Sequence, residues 1–300
     1  MYNNSFFKSK YPILAAPMNQ VSNLKLALAC HEAGIFPSIS LYTYTGMEDS
    51  NLDLMVVNSV IKTFQDTTGT SNFVLSMNCD HAIKRNVQDL IFRSGVKFLE
   101  LIPSTDLGQE DLYNAFCKDI EKYQGTDIKL IVKTLRKIDR NPGIDAIMFK
   151  GSQGAGRGVS ILDIDYEIPE QINMLPDVGV IASGGISTAD DVQKYLDMGC
   201  MSVAIGTLLA VSEESPISLA TKNKMIASTF ADVERIGEAR QNALVFKHLD
   251  KDNSNNTRAL IKGIQSPNSG IVFAGKAIDK ITAIRPVKDI VGELVNGIKI

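Results

Sequence analysis

No apolar stretch in this 300-residue chain approaches the ~18 residues a membrane-spanning helix needs. No run of lysine or arginine is long enough to mark a nucleic-acid footprint, and acidic residues exceed basic ones by 34 to 31. The four cysteines, Cys30, Cys79, Cys117 and Cys200, are widely spaced and match no zinc pattern, so reduced thiols in a cytosolic protein are the expectation. The segment Met1 to Lys10 lacks the apolar core of a secretory signal. Histidine is scarce: His31 falls in a helical pattern, His248 precedes a polar stretch, and His81 alone lies near a strand end. No HExxH, no Ser-His-Asp order and no paired metal-ligand spacing occurs, which counts against hydrolase and metal chemistry. What remains is ordinary globular composition, 44% apolar and 22% charged, with enough chain for a sizeable core.

The dominant pattern is alternation of short apolar runs with helical spacing. Expected strands are Ile13 to Ala16, Ile35 to Ser40, Phe73 to Asn78, Phe98 to Ile102, Lys129 to Thr134, Ala146 to Lys150, Val180 to Ser183 and Ser202 to Ile205. Helical spacing covers Asn23 to Ala33, Leu52 to Phe64, Ala82 to Ser94, Leu112 to Tyr123 and Asp190 to Met198. A short helix is expected between strands five and six, and an irregular acidic loop from the glycine-rich stretch to Asp177. Eight such repeats imply a (β/α)8 TIM barrel in a single domain, residues 1–300. An open dinucleotide-binding sheet is the runner-up, but its glycine fingerprint belongs after the first strand. Here no glycine follows Pro17 until Gly34. Residues from about 208 to 300 read as a helical extension: Pro216 to Arg240 as helix, Asp250 to Arg258 as a polar loop, and Ile284 to Ile300 as a closing helix.

A barrel carries its chemistry at the strand C-terminal ends. Those ends hold Met18, Asn78, Glu100, Lys133, Lys150, Ser183-Gly184-Gly185 and Ile205-Gly206-Thr207. Glycine lets backbone N–H groups approach an anion, and the helix N-terminus after strand seven adds positive potential. Gly184, Gly185, Gly206 and Thr207 therefore read as a phosphate cradle, or else as two tight turns. The stretch Gly151 to Gly158, with Ala155, Gly156 and Arg157, reads as backbone laid against a ligand, or as a flexible loop. Lys133, Lys150 and Arg157 supply more cations than one terminal phosphate needs. Asn78 serves the site or caps the following helix. Cys79 lacks a local base and reads as packing.

Together these residues resemble the nitronate monooxygenase (2-nitropropane dioxygenase-like) flavoprotein family. The resemblance runs from Pro12-Ile13-Leu14-Ala15-Ala16-Pro17-Met18, through Asn78, Asp145-Ala146-Ile147 and Lys150-Gly151, to Ile181-Ala182-Ser183-Gly184-Gly185-Ile186, Gly206-Thr207 and the tail Gly275 to Val295. It implies an FMN-dependent oxidoreductase, with phosphate on Gly184, Gly185, Gly206 and Thr207 beside Ile205. The ring would lie near Met18, Asn78 and Lys150, within reach of Ala155 and Gly156. The family has Gln-Gly then Glu-Ala-Gly-Gly-His after strand six; here Lys150 takes the glutamine place and Arg157 that of the histidine. Arginine cannot act as a base, but it can bind an anion. Arg157 and Lys133 are thus the expected catalytic residues, acting on a small anionic substrate such as a preformed nitronate. Two other readings stay open: a flavin-free lyase or isomerase using Lys133, and a flavin-binding protein without turnover. A homo-oligomer is compatible with all three; nucleic-acid and membrane partners are not expected.

Overall fold

The computed structural model describes residues 6–44, 54–103, 110–134, 137–156, 163–236, 241–245 and 257–299. Eight parallel strands run β1 (Ile13–Ala15), β2 (Ser38–Ser40), β3 (Val74–Asn78), β4 (Phe98–Ile102), β5 (Lys129–Thr134), β6 (Ala146–Lys150), β7 (Gly179–Ser183) and β8 (Ser202–Ile205). They pair in sequence order, and β8 pairs with β1. A bridge between Leu14 and Phe36 closes the ring: Ala15 N–H donates to Phe36 O and Phe36 N–H to Ile13 O, each at 2.8 Å.

Alternation along each strand explains why these runs are apolar throughout. Leu14, Val74, Phe98, Ile131, Met148, Ile181 and Ala204 point inward and form one buried cluster. Ile13, Leu75, Leu99, Val132, Ile147, Val180 and Val203 point outward into a second core beneath the helices. A strand buried on both faces has no polar positions to spare. The lower end is plugged by aromatic side chains, Phe7 on Phe36 at 4.5 Å and Phe6 on Phe98 at 5.6 Å between ring centroids. Two residues further up, the inward positions turn polar: Ser76, Glu100, Lys133, Lys150 and Ser183, each on the same face as an apolar residue below it. The barrel is thus filled at its base and chemically equipped at its C-terminal end.

The outer helices are α1 (Leu24–Glu32), α2 (Leu54–Thr68), α3 (Cys79–Ala82), α4 (Arg85–Ser94), α5 (Glu110–Ile120), α6 (Ile164–Met174) and α7 (Ala189–Asp197). Three expectations need correction. The helix after β3 is two pieces, α3 and α4, meeting at Ile83-Lys84. Between β5 and β6 no helix occurs in residues 137–145; Asn141 Oδ1 instead accepts from Gly143 and Ile144 N–H. The expected acidic loop contains α6, whose pattern Pro169 obscured. Buried Gln171 on α6 exchanges two hydrogen bonds with the Ile138 backbone, at 2.8 and 3.0 Å, which holds that helix-free segment in place.

The extension is not all helical, which corrects the reading of Pro216 to Arg240. After the short α8 (Thr207–Ala210) and α9 (Leu219–Ile226), the chain forms β9 (Glu234–Ile236), β10 (Gln241–Val245), α10 (Thr257–Gln265), β11 (Ile271–Phe273) and α11 (Val287–Leu294). Strands β9, β10 and β11 make a small antiparallel sheet. The expected closing helix is present in α11, shorter than read. Most of the polar stretch from residue 250 lies outside the described residues, though its end, from Thr257, opens α10.

Buried Lys222 on α9 anchors the extension by donating to the carbonyls of Ser212 and Ser215 at 2.6 and 2.9 Å. Lys222→Ala leaves both acceptors without that donor, so urea unfolding is expected to show a loss of about 3 kcal/mol.

Candidate active site

The C-terminal strand ends surround a cavity with about 140 Å³ of room for water centres. At ~10–15 Å³ per water that is space for roughly ten, a ligand-sized chamber rather than a void for one trapped solvent molecule. Asn78, Lys133 and Lys150 line it from three strands, Met18 from the loop after β1, and Leu260, Val272 and Phe273 from the extension. Of the residues expected at the site, Met18, Asn78, Lys133, Lys150, Ala155, Gly156, Gly184, Gly185, Gly206 and Thr207 all line this one cavity. Ile205 does not: its side chain turns outward into the core beneath the helices, and its carbonyl accepts Ala16 N–H at 2.8 Å. The β-strand alternation puts Ala204 inward and Ile205 outward. Arg157 and His248 lie outside the described residues.

The glycines have separable reasons. Gly184 and Gly185 take φ of +109° and +80°, where a side chain is strained. A Cβ on Gly184 would also stand 3.0 Å from Gly154 N, and one on Gly185 2.5 Å from the Gln153 side chain. These two glycines let the loop after β6 lie against the loop after β7. At Gly206 the nearest atoms to a Cβ are Ala16 Cβ and Met18 Sδ, both 3.6 Å away. Nothing in the protein crowds Gly206, which lines the cavity.

Among the described residues, no hydrogen bond is made by the backbone N–H of Gly184, Gly185, Gly206 or Thr207. All four residues line the cavity. Thr207 Oγ1 accepts Gly275 N–H at 3.1 Å, which leaves its own proton to donate to a ligand. Thr188 and Asp191 form a capping box on α7, and Asp191 also accepts from Ser187 N–H. What these loops present to the cavity is therefore backbone plus one hydroxyl.

The loop after β6 is held from the extension. Asn242 Nδ2 donates to Ser152 O at 2.9 Å and Gly154 O at 2.7 Å, and Asn242 O accepts Gly156 N–H at 3.1 Å. Lys276 N–H donates to Gln153 O at 2.9 Å. On the other side Lys150 Nζ donates to Ala155 O. The glycine-rich stretch is thus a braced wall over residues 151–156, and the flexible-loop alternative does not describe it.

Charge is concentrated on β4, β5 and β6. Glu100 is fully buried and sits 3.6 Å from Lys133 Nζ, and neither carboxylate oxygen has a hydrogen-bond partner among the described residues. Lys150 is buried as well; desolvation, then the charge of Lys133, push its ammonium well below the usual lysine range, against a smaller pull from Glu100. In the window between that lowered value and the ordinary ~10.4, the folded chain binds fewer protons than the unfolded one. Stability contributed here is present at alkaline pH and lost as pH falls. Lys150→Met should therefore raise the unfolding free energy in urea at pH 7 by about 1 kcal/mol or more, and shrink the gain between pH 7 and 9. Equal pH slopes in variant and wild type would contradict this assignment.

The other candidates resolve plainly. Asn78 makes no capping bond from its side chain and faces the cavity, which removes the cap alternative. His81 Nδ1 pairs with Tyr42 Oη at 2.9 Å, and Tyr42 Oη accepts Asn78 N–H at 3.0 Å, so His81 braces the site from behind. Burial pushes the Cys79 thiol up to about 12, leaving it a packed neutral group. The cysteines are free thiols. Among the described residues no cluster of metal ligands occurs, and no helix is long and apolar enough to cross a membrane.

Comparison with known proteins agrees with this layout. The structure superposes on FabK from Thermotoga maritima with a TM-score of 0.80 at 17% identity, covering 98% of this chain and 94% of that one. It superposes on nitroalkane oxidase from Streptomyces ansochromogenes with a TM-score of 0.74 at 15% identity, covering 99% and 98%. At such identities the likeness concerns the fold. A 58-residue stretch is 47% identical to inosine-5'-monophosphate dehydrogenase of Helicobacter pylori, covering 19% of this chain and only 11% of that protein's length. The family model for nitronate monooxygenase matches residues 128–297, which span β5 to the C-terminal helix, the cradle and the extension. With more than half of its length matched, this chain belongs to the nitronate monooxygenase family.

Proposed function

We propose that the chain is an FMN-dependent oxidoreductase acting on a small anionic substrate such as a nitronate. The observation that carries this reading is the set of four N–H groups, with no partner among the described residues, beside a two-lysine floor. Phosphate would rest on Gly184, Gly185, Gly206 and Thr207. The ring would lie by Met18 and Asn78, with Ala155 and Gly156 at its flank. Bound there, the flavin supplies a ring that takes up electrons from substrate and passes them on. The chain's own part is electrostatic and steric. Lys133, paired with Glu100, and Lys150 favour negative charge above them; the wall braced by Asn242, with Phe273, restricts water.

Arg157 is assigned the binding of the substrate anion, in the place where the family has histidine. A preformed nitronate needs no base. Arg157→Ala should raise KM by on the order of tenfold with flavin content unchanged, and Arg157→Lys should restore part of the loss. Unchanged steady-state kinetics in both variants would remove this role. A cytosolic location with no membrane partner completes the proposal. The cofactor itself is tested by the absorbance spectrum of purified protein: a flavin band is expected, and colourless protein that takes up no added FMN overturns the reading.

A further inference from the structure

Gln20, in the loop after β1, takes a φ of +64°, a left-handed conformation that is costly for a residue other than glycine. Its surroundings hold it there. Val21 and Ser22 N–H both donate to Met18 O, at 3.1 and 2.9 Å, Met18 N–H donates to Ser22 Oγ at 2.9 Å, and Gln20 Nε2 donates to Tyr42 O. The residue that this turn displays is Asn19, which lines the cavity. Asn19 Oδ1 accepts from Ser40 Oγ at 3.1 Å. Ser40 is fully buried, and its hydroxyl has no other acceptor among the described residues. Its proton therefore goes to Asn19, which settles which end of the carboxamide is oxygen. The other end, Nδ2, carries two protons and has no partner among the described residues. Ser40 closes β2, on the opposite side of β1 from β8. The amide of Asn19 thus stands on the β2 side of β1, not on the β8 side where Gly206 lies.

We infer that Asn19 recognises the flavin ring, its Nδ2 protons donating to a ring carbonyl or ring nitrogen rather than to the phosphate. The inference rests on the FMN reading and adds to it a side-chain contact on the ring. A carboxamide held by its oxygen has only donors left to offer, and a flavin ring presents carbonyl oxygens and unprotonated nitrogens along one edge. The position on the β2 side favours the ring, since the phosphate loops follow β7 and β8. Left without an acceptor in a filled cavity, the amide would weaken binding rather than leave it unchanged. The strain at Gln20 then has a use: it holds the donor in place before the ligand arrives.

Asn19→Asp is the deciding variant. Aspartate keeps the shape and still accepts from Ser40, so the turn is retained and the urea midpoint should stay near wild type. It loses both donors and sets a carboxylate against the acceptors of the ring. Titration of the flavin-free full chain with FMN and with riboflavin is expected to show both affinities lowered, by on the order of 30-fold in Asn19→Asp and roughly tenfold in Asn19→Leu. The ratio between the two flavins should stay as in wild type, and the visible absorption band of the bound flavin should be displaced. A role confined to holding Ser40 would be rescued by aspartate and would leave that band in place. Asn19→Asp binding both flavins as wild type does, or a loss confined to FMN, overturns this inference alone. Binding of neither flavin by the wild-type chain overturns the FMN reading and this inference with it.

Discussion

Gly184→Ala is expected to weaken FMN binding by on the order of 100-fold, equivalent to about 2.7 kcal/mol. Two effects act together. At φ of +109° alanine is strained, at ~1–3 kcal/mol. Its Cβ would also meet backbone rather than a movable side chain, 3.0 Å from Gly154 N and 3.1 Å from Gly154 Cα. The strand-seven loop can relieve this only by moving away from the strand-six loop, and the cradle N–H groups move with it. Gly206→Ala makes an informative partner. It meets nothing closer than 3.6 Å in the protein, so its unfolding midpoint should be near wild type while flavin affinity still falls. Flavin fluorescence titration together with urea unfolding separates the two. If Gly206→Ala bound FMN as wild type does, the open space at that position would not be ligand space.

Asn242→Ala is the second large effect. The side chain is buried and gives one amide group to two carbonyls, Ser152 O and Gly154 O. Removing it leaves one buried acceptor, Gly154 O, and one part-buried acceptor, Ser152 O, without their donor, at ~1–3 kcal/mol for the buried one. The loss falls on the cavity wall, so flavin affinity should drop by roughly tenfold or more in addition to the loss of stability. Asn242→Asp should do worse, since a carboxylate would face the two carbonyl oxygens. Lys222→Ala is the control: it weakens the extension at a point that does not line the cavity, so its stability should fall with a smaller change in flavin affinity. Parallel losses of affinity in Lys222→Ala and Asn242→Ala would reduce Asn242 to a general stabilising residue.

The barrel was readable because its signals are local. Phe98–Ile102, Lys129–Thr134 and Ala146–Lys150 are short apolar runs with period-two polar residues at their upper ends, and they form strands with those same limits. Gly184, Gly185, Gly206 and Thr207 fall together because each follows directly from a strand end. The extension was not readable for the opposite reason. Strand β9 owes its form to β10, and β10 to β11 almost thirty residues later, and no local periodicity reports such pairing. Asn242 gave no signal at all, being one polar residue in an undistinguished run. Glu100 did give one: with Phe98 below it and Ile102 above, period two puts a carboxylate inside the barrel, where it needs a partner. Pro169 hid α6, since proline inside a helix is ordinarily a break.

The central claim is that loop backbone at β7 and β8 holds the phosphate of FMN. Titration of flavin-free protein with FMN and with riboflavin, which lacks only the phosphate, tests it most directly. FMN is expected to bind on the order of 100-fold more tightly, and Gly206→Ala to erase most of that difference. Equal affinity for the two flavins, or no binding of either, would contradict it.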